Sequence, residues 1–265
     1  MWHRFKHYTS DLTDGQWKVL KVWLPLTHSG PGRPIRINMR QAVNAMLYIA
    51  KTGCQWANLP YGFPNYQSVY YPFRKGSLDG TWERLNRILV LLARHAMGRC
   101  PYPSAGVIDS QSVKTTAVGG PARGYDGFKK VKGRKRHLFV DSQGHLWRVR
   151  VEAAHLQDRD EAKPLLSGLP PMVKRRLSKI WADGAYNGDL AAWCLAHVHI
   201  VLELVQPVTL LPGVVRFPRR WVVERTLAWL GNYRRLSKDY EESPRSSQGF
   251  IYLAFIHLLL RRAAP

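Results

Sequence analysis

The sequence predicts an α/β protein: a mixed five-stranded sheet flanked by helices over residues 101–265, preceded by an all-helical domain over residues 1–100. Three observations lead there. Apolar residues recur at helical spacing up to Leu92 and not in the stretch that follows. The run Arg99-Cys100-Pro101-Tyr102-Pro103 breaks the pattern where the period changes. Beyond it the signals read strand, strand, strand, helix, strand, helix, strand and then helices, the order of a mixed sheet with helical cover.

The helical elements come first. Thr13 and Asp14 precede Trp17, Leu20, Trp23 and Leu24, an N-capped amphipathic helix stopped by Pro25. Leu26 to Pro34 (LTHSGPGRP) is rich in turn formers. Asn38 opens a second helix with Ala42, Ala45, Met46 and Ile49 on one face, ending at Gly53. Asn65 opens a third with Val69, Tyr70 and Phe73. Leu85, Ile88, Leu89 and Leu92 mark a fourth. Several short helices with short connections suit a helix-turn-helix DNA reader, and equally a plain bundle.

The sheet follows. Gly106-Val107-Ile108 is a short buried strand leading into Asp109. Arg136 to Val140 is the second strand and Asp141-Ser142-Gln143-Gly144 its turn. Leu146 to Val151 alternates apolar and polar residues and pairs with the second strand as a hairpin. Asp158 and Glu161 read as a capping box opening a helix. Lys179 to Ala182 is a strand ending at Asp183, Asp189 to His197 a helix, and His199 to Val205 the last strand. Helices cover Trp221 to Asn232 and Gln248 to Arg261.

The chain of 265 residues carries 40 Lys+Arg against 18 Asp+Glu, a net charge of +22. With 45% hydrophobic residues it is no disordered basic tail. Such an excess on a globular chain points to a polyanion, most often nucleic acid. The net is +10 up to residue 100 and +12 beyond it. The longest apolar run, Phe250 to Leu260, is interrupted by His257 and is too short for a bilayer, so no membrane role is expected. The N-terminal residues contain no apolar secretory core. Cys54, Cys100 and Cys194 are odd in number and far apart, which fits a reducing compartment, with cytoplasmic, nucleoid-associated work expected.

Two acids end apolar strands. Asp109 follows Val107-Ile108, and Asp183 follows Ile180-Trp181-Ala182. Carboxylates there open into the crevice where such sheets bind ligands. Glu224, in RRWVVERTLAWL, borders the apolar stripe of Val223, Leu227 and Leu230 and needs compensation by an arginine such as Arg225 or by a metal. Each acid alone reads equally as a turn or ion-pair residue. Their strand, strand, helix order together favours a site for hard divalent cations, Mg²⁺ or Mn²⁺. Two such ions can serve the attacking and leaving oxygens of a phosphodiester.

Lys114 to Arg136 holds eight basic residues and one acid among five glycines. Its Lys129, Lys130, Lys132, Arg134, Lys135 and Arg136 are expected to drape along a phosphate backbone as a flexible loop, with Lys114 a further DNA contact, the alternative being a solvated charged loop. A second basic group around Glu224 comprises Arg216, Arg219, Arg220, Arg225, Arg234 and Arg235, and Lys238 is a further expected DNA contact. Trp221, Trp229 and Tyr233 among them are expected in the core. His137 and His155 read as packed residues or phosphate contacts.

Several long, ordered segments carry a resemblance. LTDGQWKVL, the GRP loop and YIAKTGCQWANLPYGFPNYQSVYYPFRKG stand in the first part. VIDSQSVKT, GFKKVKGRKRHLFVDSQG, ADGAYNG and RWVVERTLAWLGNYRRLSKDYE stand in the second. Over nearly its whole length the chain resembles the single-frame DDE transposases of small bacterial insertion sequences. The resemblance implies an RNase H-like catalytic domain behind a helical DNA-binding domain. It implies that Asp109, Asp183 and Glu224 form an acidic triad holding two Mg²⁺ ions, for which Mn²⁺ can substitute. It implies a homodimer or larger assembly on double-stranded DNA, both transposon ends and target. Asp183 follows Asp109 by 74 residues and Glu224 follows Asp183 by 41, too few for a large inserted domain. Some relatives carry a lysine seven residues after the Glu. Here Gly231 stands there, leaving Arg234, Arg235 or Lys238 as substitutes.

The expected activity is therefore transposition: binding of the terminal inverted repeats, cleavage at the element ends and joining of the 3′-OH ends to target DNA. A nuclease on the same fold, or a non-catalytic DNA-binding derivative, are the alternatives.

Overall fold

The computed structural model describes residues 8–24, 37–206, 208–211, 214–216 and 219–263. Helix α1 (Asp14–Lys21) is opened by Thr13, whose hydroxyl accepts from Gln16 N at 3.2 Å while the Gln16 side chain accepts from Thr13 N. The turn-rich stretch 26–34 lies outside the described residues. Asn38 caps α2 (Met39–Thr52) by accepting from the backbones of Arg40 and Gln41, and Gly53 ends it at φ +76°, a conformation costly for other residues. Asn65 caps α3 (Tyr66–Leu78), and α4 (Thr81–Ala96) completes the first part.

The sheet is built from β1 (Ala105–Lys114), β2 (Gly124–Asp126), β3 (Val131–Asp141), β4 (Leu146–Ala153), β5 (Lys179–Ala182) and β6 (Val201–Leu204). Its order is β2-β3-β1-β5-β6, with β4 also paired to β3. β4, β3 and β1 run antiparallel to one another, and β5 and β6 continue parallel to β1. All five expected strands are present. The short β2 is additional, as is a separate hairpin of β7 (Val208–Leu211) and β8 (Val214–Arg216).

Helices α5 (Asp158–Ser167), α6 (Pro171–Arg176) and α7 (Leu190–Trp193, continued by a π turn over Cys194–Val198) fall within the crossovers. α8 (Trp221–Leu230) and α9 (Pro244–Ala263) close the chain. The expected cap of α5 is corrected. Gln157 holds the cap position without a side-chain bond, and Asp158 lies in the first turn, paired with Lys135 at 3.1 Å.

α9 crosses the division expected at residue 100. It packs on α3, α4 and β4, and one buried cluster includes residues from both sides. Phe250 meets Phe73 with ring centres 4.4 Å apart, and Tyr252 Oη accepts from Val149 N. Gly249 lets α9 approach α3, because a methyl group there would collide with Ser77. This helix is buried nearly all round, which suits a core element rather than a surface one.

A second tie is polar. Asp141 in the β3–β4 turn pairs with Arg94 of α4 at 2.5 Å, and its other oxygen accepts from the backbones of Gln143 and His145. Burial alone would raise the Asp141 pKa. The bond and charge of His145, with Arg94, outweigh burial and hold it at about 2.

Candidate active site

The parallel register places the first two acids side by side. Val107 of β1 pairs with Trp181 of β5, and each strand reaches its acid two residues later, at Asp109 and Asp183. Asp109 is still in the sheet, opposite Leu138 of β3. Asp183 has left β5 and caps a 3₁₀ turn, accepting from Ala185 N at 3.0 Å. Glu224 enters from the first turn of α8.

All three meet at Arg220, one helical turn before Glu224. Its Nη2 lies 3.2 Å from Asp109 Oδ2, 3.3 Å from Asp183 Oδ2 and 3.7 Å from Glu224 Oε1. Asp109 and Arg220 are buried, whereas the Glu224 side chain is 50% exposed, more open than its apolar neighbours suggested. Burial raises the Asp109 pKa. Arg220 and the Ser110 N–H, which donates to Oδ1 at 2.7 Å, oppose that effect, and the Asp183 charge adds to it. Beneath them Tyr186 is buried, and burial with the charges of Asp109, Asp158 and Asp183 pushes its phenol well above the ordinary value.

Three carboxylates against one guanidinium leave two formal negative charges uncompensated. An all-oxygen donor set of that charge suits a hard divalent cation. As they stand, the carboxylates surround the arginine, and among the described residues no three His, Cys, Asp or Glu side chains are spaced to hold a metal. The residues fit such an ion in chemistry, with Arg220 holding the centre.

The expected phosphate contacts separate into two groups. Lys114, Lys129, Lys130, Lys132, Arg234 and Lys238 are exposed. Arg134, Lys135, Arg136 and Arg235 are buried, so the draping loop is corrected: its second half is the start of β3. Arg134 donates to Asp239, Ser247 and the carbonyls of Gly119, Ala122, Glu241 and Glu242. Arg136 donates to the carbonyls of Leu236 and Lys238, and burial lowers its pKa to about 10. Lys135 pairs with Asp158, and Arg235 with Glu241 at 2.7 Å. These charges are bearable inside only because partners satisfy them.

Arg225 points away from the acids. It stacks over Trp221 and Trp229 and donates to Gln143 O at 2.9 Å, fastening α8 to the β3–β4 turn. Of the three aromatics expected in the core, Tyr233 is buried, Trp229 half-buried, and Trp221 exposed. His137 is buried, and burial lowers its pKa to about 4 and keeps it neutral. The central position of Arg220 was not anticipated, although its spacing four residues before Glu224 on a helix was a usable signal.

A family profile described as "Transposase DDE domain" matches residues 102–259, which contain all three acids. The chain belongs to the DDE transposase family. A second profile, described as "Putative transposase of IS4/5 family", matches residues 12–86. The family's catalytic domain is RNase H-like, in keeping with this sheet order. Two curated relatives come from Burkholderia cepacia. The "Putative transposase for insertion sequence element IS402" is 27% identical over 128 residues, 46% of this chain and 60% of that protein. The "Insertion element IS402 uncharacterized 16.2 kDa protein" is 27% identical over 114 residues, 41% of this chain and 76% of that protein. The chain thus spans less than two thirds of the first relative. No solved structure matches. Among the described residues no helix of this DDE transposase is long and apolar enough to cross a membrane.

Proposed function

We propose that the chain cuts the ends of an insertion sequence and joins them to target DNA. The observation that carries this reading is the convergence of Asp109, Asp183 and Glu224 on one cationic nitrogen, within 3.7 Å, inside the matched transposase domain. In the first step a water oxygen attacks the phosphorus at the element end. The P–O3′ bond breaks and the leaving oxygen takes a proton, giving a free 3′-OH. In the second step that 3′-OH attacks a target phosphodiester, forming the new P–O bond and releasing a target 3′-OH.

Asp109, Asp183 and Glu224 would hold the divalent cations, a pair of Mg²⁺ or Mn²⁺. When bound, these supply charge stabilisation for the attacking and leaving oxygens. The chain's own groups supply the rest. The rigid neighbours β1 and β5 fix the two aspartates, and the half-exposed Glu224 can adjust. The exposed Lys114, Lys129, Lys130, Lys132, Arg234 and Lys238 hold phosphates.

The helical part over residues 1–100 reads the terminal repeats through groove contacts, and residues 101–265 carry the chemistry. Work on two ends calls for a homodimer or higher assembly. Chromosomal DNA as substrate implies cytoplasmic, nucleoid-associated action.

A strand-transfer assay with labelled element-end duplex and a supercoiled target tests this. Mg²⁺-dependent joined products are expected, abolished by chelator without unfolding. Cut but unjoined DNA would instead indicate a nuclease, and binding without cutting a DNA-binding derivative.

A further inference from the structure

The hairpin of β2 and β3 ends in Gly127-Phe128-Lys129-Lys130, and Phe128 is 94% exposed. A single exposed apolar residue is ordinary on a protein surface. This one sits on a turn held in place from beneath. The buried Asp126 accepts from the backbones of Phe128 at 3.1 Å and Lys129 at 3.0 Å, and from Ser112 Oγ of β1 at 2.6 Å. Lys129 Nζ reaches back to Ser110 O at 3.2 Å, the residue after Asp109. The tip is thus tied to the strand that carries the catalytic aspartate.

Around the ring the chemistry is that of a nucleic-acid surface. Lys130 and Lys132 are exposed beside it, Tyr125 is 56% exposed on β2, and the one acid of the hairpin, Asp126, is buried and engaged. Lysines can track a phosphate backbone while an aromatic ring offers a face to a base. Paired bases offer no face at the side of a duplex. An aromatic held out from a fixed turn therefore suits a base that has left the stack.

We propose that Phe128 stacks on a nucleobase opened out of the duplex next to the phosphodiester held by Asp109, Asp183 and Glu224. This rests on the transposase reading for its location, but the contact can be measured without catalysis. Opening the end in this way exposes the scissile phosphate to the recessed carboxylates. The lysines supply sequence-independent attraction, and the phenylalanine supplies preference for distorted over regular DNA.

The test compares binding of the full chain to a short duplex of mixed sequence and to the same duplex with a central mismatched bubble. Wild-type protein should favour the bubble by about 5- to 150-fold, the worth of one base–aromatic stack. Phe128→Ala should lose that preference while keeping its affinity for the paired duplex and its melting temperature, and Phe128→Trp should retain the preference. A Phe128→Ala protein that still prefers the bubble, or a wild type without preference, overturns the proposal. So does wild-type self-association that disappears in Phe128→Ala, which would assign the ring to contact with a second copy. Failure of wild-type protein to join DNA would remove the transposase reading and leave this binding comparison intact.

Discussion

Arg220 Nη2 stands 3.2 Å from Asp109 Oδ2, an ion pair between two buried side chains, one from the cap of α8 and one from β1, 111 residues apart. Burial works against the Asp109 charge and Arg220 is the leading force for it. Replacing Arg220 with Ala removes that cation and leaves the carboxylate stranded. Unfolding in urea at neutral pH should show a loss of about 3 kcal/mol. Added Mn²⁺ should then raise the melting temperature more in Arg220→Ala than in wild type, because the guanidinium no longer competes for the carboxylates. Equal metal-induced shifts in the two proteins would argue against that competition.

The raised Asp109 pKa has a definite sign. The folded protein holds this proton more tightly than the unfolded chain. The associated stability is present below the ordinary carboxylate value of 3.8 and is lost as pH rises through the higher folded value. Asp109→Asn cannot titrate. The difference in unfolding free energy between wild type and Asp109→Asn should therefore shift in favour of the variant across that window, and a flat difference would contradict the burial argument.

Asp141 behaves in the opposite way. Its folded pKa of about 2 makes its contribution complete above 3.8 and progressively lost as pH falls towards 2. Asp141→Asn breaks the pair with Arg94 that ties α4 to the β3–β4 turn, and should cost about 3–5 kcal/mol at neutral pH. The variant should also lack the acid-induced destabilisation of the wild type between those two values, as read by urea melts at stepped pH.

The basic residues around β3 should divide by burial. Lys130→Ala should reduce the slope of log affinity against log salt by about 0.9, one phosphate contact, and leave stability unchanged. Arg134→Met should instead lower the melting temperature, because it empties a site of buried hydrogen bonds while the carbonyls and Asp239 remain. A changed salt slope in a folded Arg134→Met protein would return that arginine to the DNA surface.

The legible parts of the fold were those where local pattern and tertiary role agree. Val107-Ile108 and Ile180-Trp181-Ala182 are apolar because both faces of these strands are covered, so an acid at each end stood out. The capping residues Thr13, Asn38 and Asn65 were readable because a cap acts within three residues. Arg134 and Arg136 hid the first half of β3, since many of the groups that make their burial tolerable, Asp239 and the Leu236 carbonyl among them, lie about a hundred residues further on. The same distance concealed the partners of α9: the sequence marked a helix from Gln248 to Arg261, but only the fold places Phe250 against Phe73. Arg220 was legible as a basic residue and not as the centre of the acids, because that depends on β1, β5 and α8 meeting.

The central claim is that Asp109, Asp183 and Glu224 form one joining centre, and strand transfer by their alanine variants tests it most directly. Residues that act as a unit are not additive in their losses. Each single variant should bind DNA and yet lose joining by about 10³-fold or more, and the Asp109→Ala/Glu224→Ala pair should lose no more than either alone. A single variant that joins DNA at the wild-type rate, or a double loss equal to the product of the singles, would contradict a common centre.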